Sequence, residues 1–288
     1  MKKAAVFAIL AAALYALNAP MSKLLLKSVP PTMMAGFLYI GAGLGMALLG
    51  MVRAGTKHGR KENRLTKKDL PYTLGMVVLD IAAPIFLMMG LRGTSSANTS
   101  LLNNFEIVAT ALIALMIFRE KIGKRLWIAI GLITFSSVLL SVEDAESFRF
   151  SVGSLFVLSA CVCWGMENNC TRCLSKGDPL EIVVIKGLAS GSGSVIIGLA
   201  VGESMPAWGD ILKILLLGFV AYGLSIYFYV YAQRDLGAAR TSAFYAVAPF
   251  IGVLLSFIVF REMPGTLFFI ALTIMISGVR LVNRDQKE

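Results

Sequence analysis

The chain has 288 residues, of which 57% are hydrophobic and only 15% charged, with a mean hydropathy of +0.76. Soluble domains carry about a quarter of their residues as charges, so this composition excludes a water-soluble globular protein and points to a multi-pass membrane protein. The net charge of +10 does not argue for a nucleic-acid partner, because the basic residues cluster in short loops between apolar runs and act there as topology signals.

Apolar runs of about 20 residues recur along the whole length. The first predicted span, 4–26, is too long for a signal peptide and is followed by more spans. It contains Asn18 and Pro20, and Ala11, Tyr15, Asn18 and Ser22 share one of its faces. The second is predicted over 32–52, after the break Val29-Pro30-Pro31. A basic loop follows with the chain's one histidine, His58, which has no partners there for a metal or a proton relay. The third span, 71–91, holds Asp80 near its middle, on a face with Met76 and Pro84. In the fourth, 97–118, Thr99, Asn103, Glu106 and Thr110 fall at helical spacing and predict one polar stripe.

A fifth span is predicted over 126–142, closed by the acidic break EDAE at 143–146. The sixth, 152–173, carries all four cysteines and the stretch WGMENNCTR. Cys170 and Cys173 form a CxxC on a helix, without a second pair or a histidine, and read as packing residues, with no metal or cofactor expected. Ala160, Trp164, Glu167 and Thr171 form its polar face. The seventh span, 179–202, contains Lys186. At about 1.5 Å per residue, Glu167 and Lys186 lie at the same level, so Glu167 either pairs with Lys186 or faces a solute. The eighth, 210–232, holds an aromatic run (Tyr222, Tyr227, Tyr229 and Tyr231), read mainly as packing or interfacial anchoring. The ninth, 239–260, aligns Thr241, Tyr245, Ala248 and Gly252 and contains Pro249; the tenth spans 265–282. Arg119 with Glu120, and Arg261 with Glu262, end the fourth and ninth spans as interfacial anchors or as gate latches in one state of a transport cycle. The lysine and arginine distribution places both termini in the cytoplasm.

Residues 99–120 align without gaps on 241–262, both beginning Thr-Ser and ending Phe-Arg-Glu. Spans one and six also align, setting Tyr15, Asn18 and Ser22 against Trp164, Glu167 and Thr171. Two repeats are therefore expected, 1–145 and 146–288. Five spans per repeat is an odd number, so the second must enter the membrane from the opposite side. The expected fold is an all-α integral membrane protein of ten transmembrane helices in two inverted five-helix repeats. That architecture belongs to alternating-access transporters, whose site lies near the midplane between the halves.

With these features the chain resembles the EamA family of the drug/metabolite transporter superfamily. The resemblance rests on the two five-span units, on FREKI (118–122) and FREMP (260–264) ending the repeated fourth helix, and on YALNAP and WGMENN in the first span of each unit. The first unit departs from the pattern, with Ile107 preceded by Glu106 where the second has Pro249. The resemblance implies carriers of small solutes such as amino acids, amines, nucleosides or drugs, often exporters driven by a proton or substrate gradient.

An ionisable group at the bilayer centre costs about 2.5–3.5 kcal/mol on insertion scales and marks a functional site by default. Asp80, Glu106, Glu167 and Lys186 are the four deep charges. Three acids against one lysine favour a cationic amine over an anion and suit a proton as candidate coupling ion, and an amino-acid-like metabolite stays open; export from the cell across the plasma membrane is what the resemblance implies. Glu106, Asp80, Glu167, Asn103, Trp164, Tyr15, Asn18 and Tyr245 are the candidate solute-binding residues. Lys186, Glu167 and Glu106 are the candidate ion-pairing or coupling residues. Membrane lipid and the solute are the expected partners, and the oligomeric state is a monomer or a homodimer. A uniporter or facilitator is the alternative, and an ion channel a more distant one. No HExxH, GxSxG or GxxxxGK[ST] occurs, so neither an enzyme nor a nucleotide-driven pump is expected.

Overall fold

The computed structural model describes residues 2–54, 63–118, 123–144, 149–236, 245, 247–261 and 265–285. Expectations for His58, Arg119, Glu120, Thr241 and Glu262 lie outside the described residues. Among the described residues the chain is helical apart from one short ladder. Helices α1 (Lys2–Ala16) and α2 (Asn18–Leu25) make up the first predicted span, which is broken at Leu17. Pro20 explains the break, because it has no N–H to offer the carbonyl of Ala16 four residues earlier. Helix α3 (Pro31–Ala54) and α4 (Leu70–Gly93) follow, each opening with a proline in its first turn, where a missing N–H costs nothing.

The fourth predicted span is also two helices, α5 (Ser96–Leu102) and α6 (Phe105–Phe118). Asn103 and Asn104 separate them, and Glu106 N–H and Ile107 N–H bond back only three residues, to Asn103 and Asn104. Asparagine side chains compete with the helix ladder, which favours a break at this pair. The predicted polar stripe is therefore not one continuous face: Thr99 lies on α5, Glu106 and Thr110 on α6.

Helix α7 (Lys124–Ser141) leads into the antiparallel strands β1 (Val142–Asp144) and β2 (Arg149–Phe150), with Val142 opposite Phe150. This ladder on the expected acidic break is the departure from an all-helical chain. Helix α8 (Val152–Leu174) is continuous. The seventh span comprises α9 (Pro179–Ile185), a π-helical turn (Lys186–Ser190) and α10 (Gly191–Ala200). The eighth comprises α11 (Trp208–Gly218), a second π-helical segment (Phe219–Leu224) and α12 (Ser225–Leu236). Helices α13 (Ala248–Phe260) and α14 (Thr266–Asp285) complete the described chain. Pro249 sits in the first turn of α13 and so starts that helix instead of kinking it.

By length and composition six helical stretches can cross a membrane: Lys3–Leu25, Pro31–Val52, Lys67–Gly93, Ser96–Ile117, Pro179–Ala200 and Trp208–Ala232. Trp127–Leu140, Ala248–Phe260 and Thr266–Leu281 are shorter apolar helices. Large apolar side chains such as Leu48, Leu74, Met116, Ile196 and Leu212 are exposed on the outside of the bundle. In a membrane protein that surface meets lipid, which makes the chain a multi-pass membrane protein.

Inside, α4 packs along α8 and α1 along α12; α7 pairs with α14, α5 with α13, and α3 lies against α10 and α11. Glycines set the closest of these approaches. A Cβ at Gly187 would fall on the backbone of Gly43, and one at Gly218 on the carbonyl of Leu38. Helices whose backbones touch gain dispersion contacts and give up little side-chain entropy, which suits packing in lipid. The tight contact of α3 with the two π-helical segments fixes where Lys186 and Tyr222 point.

Candidate functional site

Lys186 opens the π-helical turn of the seventh span, and its side chain is only 6% exposed. Its Nζ lies 2.9 Å from Oε1 of Glu167 on α8 and 3.1 Å from Oδ2 of Asp80 on α4. Both carboxylates are buried. The other Asp80 oxygen, Oδ1, accepts a 2.8 Å hydrogen bond from the Tyr39 hydroxyl on α3, and Thr171 Oγ1 donates to Glu167 one turn along α8. Four helical segments thus converge on one ammonium. A π-helical turn inserts an extra residue into the helix, and such turns recur at functional sites because they re-aim a side chain.

The pairing of Glu167 with Lys186 is one of the two expected alternatives. Asp80, expected as a separate acid, is the second partner of the same lysine. The triad carries one net negative charge when all three groups are ionised. Burying it in a low-dielectric bundle is costly, and removing Lys186 leaves two uncompensated carboxylates, whereas removing one carboxylate leaves a matched pair.

Glu106 is placed differently. It lies in the first turn of α6, where the exposed N–H groups favour a negative charge. Its Oε1 accepts a 2.6 Å hydrogen bond from Asn168 Nδ2 on α8, the residue after Glu167. Among the described residues no cation lies within ion-pair distance of Glu106. It is close enough to the hydroxyls of Tyr15, Tyr222 and Tyr245 to interact with them electrostatically.

Those tyrosines form an aromatic cluster centred on Tyr15 of α1. Its ring meets Trp164 at 6.4 Å, Tyr222 at 5.8 Å and Tyr245 at 5.8 Å between centroids. Tyr222 also packs at a tilt against Tyr39, 5.0 Å between centroids, joining the aromatic cluster to the ion triad. Asn18 Nδ2 donates to the Tyr222 hydroxyl at 2.9 Å, and Ser22 Oγ donates to Asn18 Oδ1 at 2.9 Å. Asn18 therefore supports the cluster from the start of α2.

Below Tyr15 a narrow void is lined by Ser100, Asn103, Pro249 and Gly252. The break in the fourth span concentrates unpaired polar atoms on and next to this wall. Oγ1 of Thr99, Oγ of Ser100, Oδ1 of Asn103 and both side-chain polar atoms of Asn104 are buried without a hydrogen-bond partner among the described residues. Each such group costs about 1–3 kcal/mol when left unpaired.

All nine candidate residues fall in this connected region: Lys186, Glu167 and Asp80 in the triad, Glu106 and Asn103 beside the broken fourth span, and Tyr15, Trp164, Asn18 and Tyr245 in the cluster. Sequence reasoning missed Tyr39 and treated Tyr222 mainly as packing. Tyr222 was accessible in principle as a tyrosine deep in an apolar span, whose hydroxyl must find a buried partner. Asn168 stood beside Glu167 in the sequence, but its partner lies across the bundle on α6.

Buried charges, aromatic rings and unpaired polar groups lie together inside this apolar helix bundle, an interior that suits a membrane transport protein. The profile of the EamA-like transporter family matches residues 2–142 and again 151–284. The chain belongs to the EamA-like transporter family. It is similar to an uncharacterized transporter of Methanothermobacter thermautotrophicus, with 26% identity over 287 residues, 95% of this chain and 84% of that one. It is also similar to the uncharacterized transporter YyaM of Bacillus subtilis, with 22% identity over 268 residues, 85% of each chain. A solved crystal structure with 18% identity has the same fold, with a TM-score of 0.70 over 99% of this chain and 97% of that one.

Proposed function

We propose that this transporter is a secondary active carrier. It exports a cationic amine or amino-acid-like metabolite across the cell membrane by alternating access, with a proton as the coupling ion. Glu106 carries the reading. It is a half-buried carboxylate held by the neutral Asn168, within electrostatic reach of Tyr15, Tyr222 and Tyr245. Such a carboxylate can pair with a solute ammonium while the rings contact it by cation–π attraction, or take up a proton when the solute leaves. Lys186, Asp80 and Glu167 then serve as a lock between segments that separate during the cycle.

The helix pairings support an inverted repeat. Exchanging spans one to five with six to ten turns the α4–α8 pair into α12–α1, and returns α7–α14 and α5–α13 to themselves. The double match of the family profile accords with the same relation, with the units at 1–145 and 146–288 and both termini in the cytoplasm. The carrier works in lipid as a monomer or a homodimer.

A thermal-shift screen of the purified protein against amines, amino acids and organic cations at two pH values tests the reading. At least one class should raise Tm in the native protein and leave Glu106→Gln unmoved. Stabilisation by the same solutes in both proteins would remove Glu106 from the site.

A further inference from the structure

Two broken spans and the start of a third helix meet at one point. The first span is interrupted at Leu17, the fourth at Asn103 and Asn104, and α13 begins at Ala248. The void beneath Tyr15 lies between them, walled by Ala16, Ser100, Asn103, Pro249 and Gly252. It measures about 10 Å³, room for one water-sized particle.

Oxygens that lack donors gather here. The carbonyl of Ala16 receives no N–H from Pro20, four residues on. Ser100 Oγ and Asn103 Oδ1 are buried without a hydrogen-bond partner among the described residues. Gly252 opens the space in front of two of these oxygens. A Cβ built there would sit 2.7 Å from Ser100 Oγ and 3.4 Å from the Ala16 oxygen, so a small particle at that point touches both. Helix α13 offers few donors in return: Pro249 has no N–H, and those of Phe250 and Ile251 bond back to the Val247 carbonyl.

This arrangement calls for positive charge. A serine hydroxyl can satisfy one acceptor by donating, which still leaves a carbonyl or an amide oxygen unpaired. Glu106, whose N–H bonds back to Asn103, adds a carboxylate one turn away. Neutral oxygen ligands suit a hard cation, and the carbonyls of broken helices coordinate sodium in secondary carriers. A divalent ion takes carboxylate ligands, and none lines the void among the described residues.

We propose that this void binds a sodium ion through the Ala16 carbonyl, Ser100 Oγ and Asn103 Oδ1. The site adds an ion to the carrier reading and does not depend on which solute is carried. Its oxygens come from spans one and four and its far wall from span nine, so the ion ties together segments from both ends of the chain. Sodium then stabilises the state in which these segments meet.

A scintillation proximity assay with radiolabelled sodium on the purified protein tests the site. Saturable binding is expected, displaced by unlabelled sodium and not by caesium, which is too large for the void. Ser100→Ala removes one oxygen without adding volume and should weaken binding about tenfold. Gly252→Ala puts a methyl group into the void and should abolish binding.

Melts in sodium chloride and in caesium chloride at equal ionic strength give a second readout and show that each variant is folded. Sodium at about one hundred times its Kd should raise the native Tm on the order of 5 °C above the value in caesium. If Gly252→Ala does not fold, Ser100→Ala carries the test. No saturable sodium binding, the result expected if the void takes only a water, would overturn the proposal. Native sodium affinity in folded Ser100→Ala would place the ion elsewhere and overturn it as well.

Discussion

Replacing Lys186 by methionine keeps the side chain's length and removes the charge that Asp80 and Glu167 share. Both carboxylates are almost wholly buried, with side-chain exposures of 0% and 2%. Breaking a buried pair by removing one partner costs about 3–5 kcal/mol, because the remaining charge has nowhere to go. For a chain of this size that corresponds to a fall in Tm on the order of 10 °C. A detergent-solubilised melt followed by circular dichroism reads it directly. Adding Glu167→Gln to Lys186→Met should recover only part of the loss, since Asp80 still lacks its cation. Adding Asp80→Asn as well removes the last charge and should bring Tm back to within a few degrees of native, with transport still abolished. Full recovery in the Glu167→Gln/Lys186→Met double variant would refute a three-membered cluster. A native Tm for Lys186→Met alone would refute the ion triad.

Glu106→Gln keeps an oxygen that can accept from Asn168 Nδ2, so the protein should fold with little change in Tm. Solute flux should fall at least about tenfold, because a neutral amide cannot form the charge-assisted hydrogen bond that a carboxylate gives an ammonium. Flux in proteoliposomes and Tm measured on one preparation check both halves. Asn168→Ala leaves the Glu106 carboxylate without its donor and should cost about 1–3 kcal/mol, read as a lower midpoint in a denaturant melt. Gly187→Ala places a methyl group on the backbone of Gly43, and overpacking of this kind costs about 1–3 kcal/mol. A melt should show that destabilisation, and Gly131→Ala, where a Cβ meets nothing, should not.

The helix boundaries were legible wherever proline or a helix cap marks them. The predicted starts at 32, 71 and 179 fall within one residue of helices that begin at Pro31, Leu70 and Pro179. The breaks inside spans were less legible. Apolar content runs straight through Leu17, and Asn103 reads as part of a polar face until the backbone turns at Asn103 and Asn104 are seen. The π-helical segments at Lys186 and Phe219 leave no local mark, because they follow from the close approach of α3.

At the site, the Glu167–Lys186 contact could be anticipated from matching depths along two adjacent helices. The role of Asp80 could not. Its helical neighbours Met76 and Pro84 give an apolar face, and both Lys186 and Tyr39 reach it from other helices. A sequence reports depth and face, whereas the azimuth of one helix against another is set by packing. Glycines such as Gly43 and Gly187 carry that packing without any charge or period of their own.

The central claim is that one site is exposed alternately to the two sides of the membrane, and counterflow tests it most directly. Proteoliposomes of the purified protein are loaded with an unlabelled solute chosen by the thermal-shift screen, and entry of trace labelled solute is followed with no ion gradient. The account predicts a transient, saturable accumulation of label above equilibrium, absent in Glu106→Gln. Simple equilibration without overshoot, or large unitary currents across a planar bilayer, would contradict it.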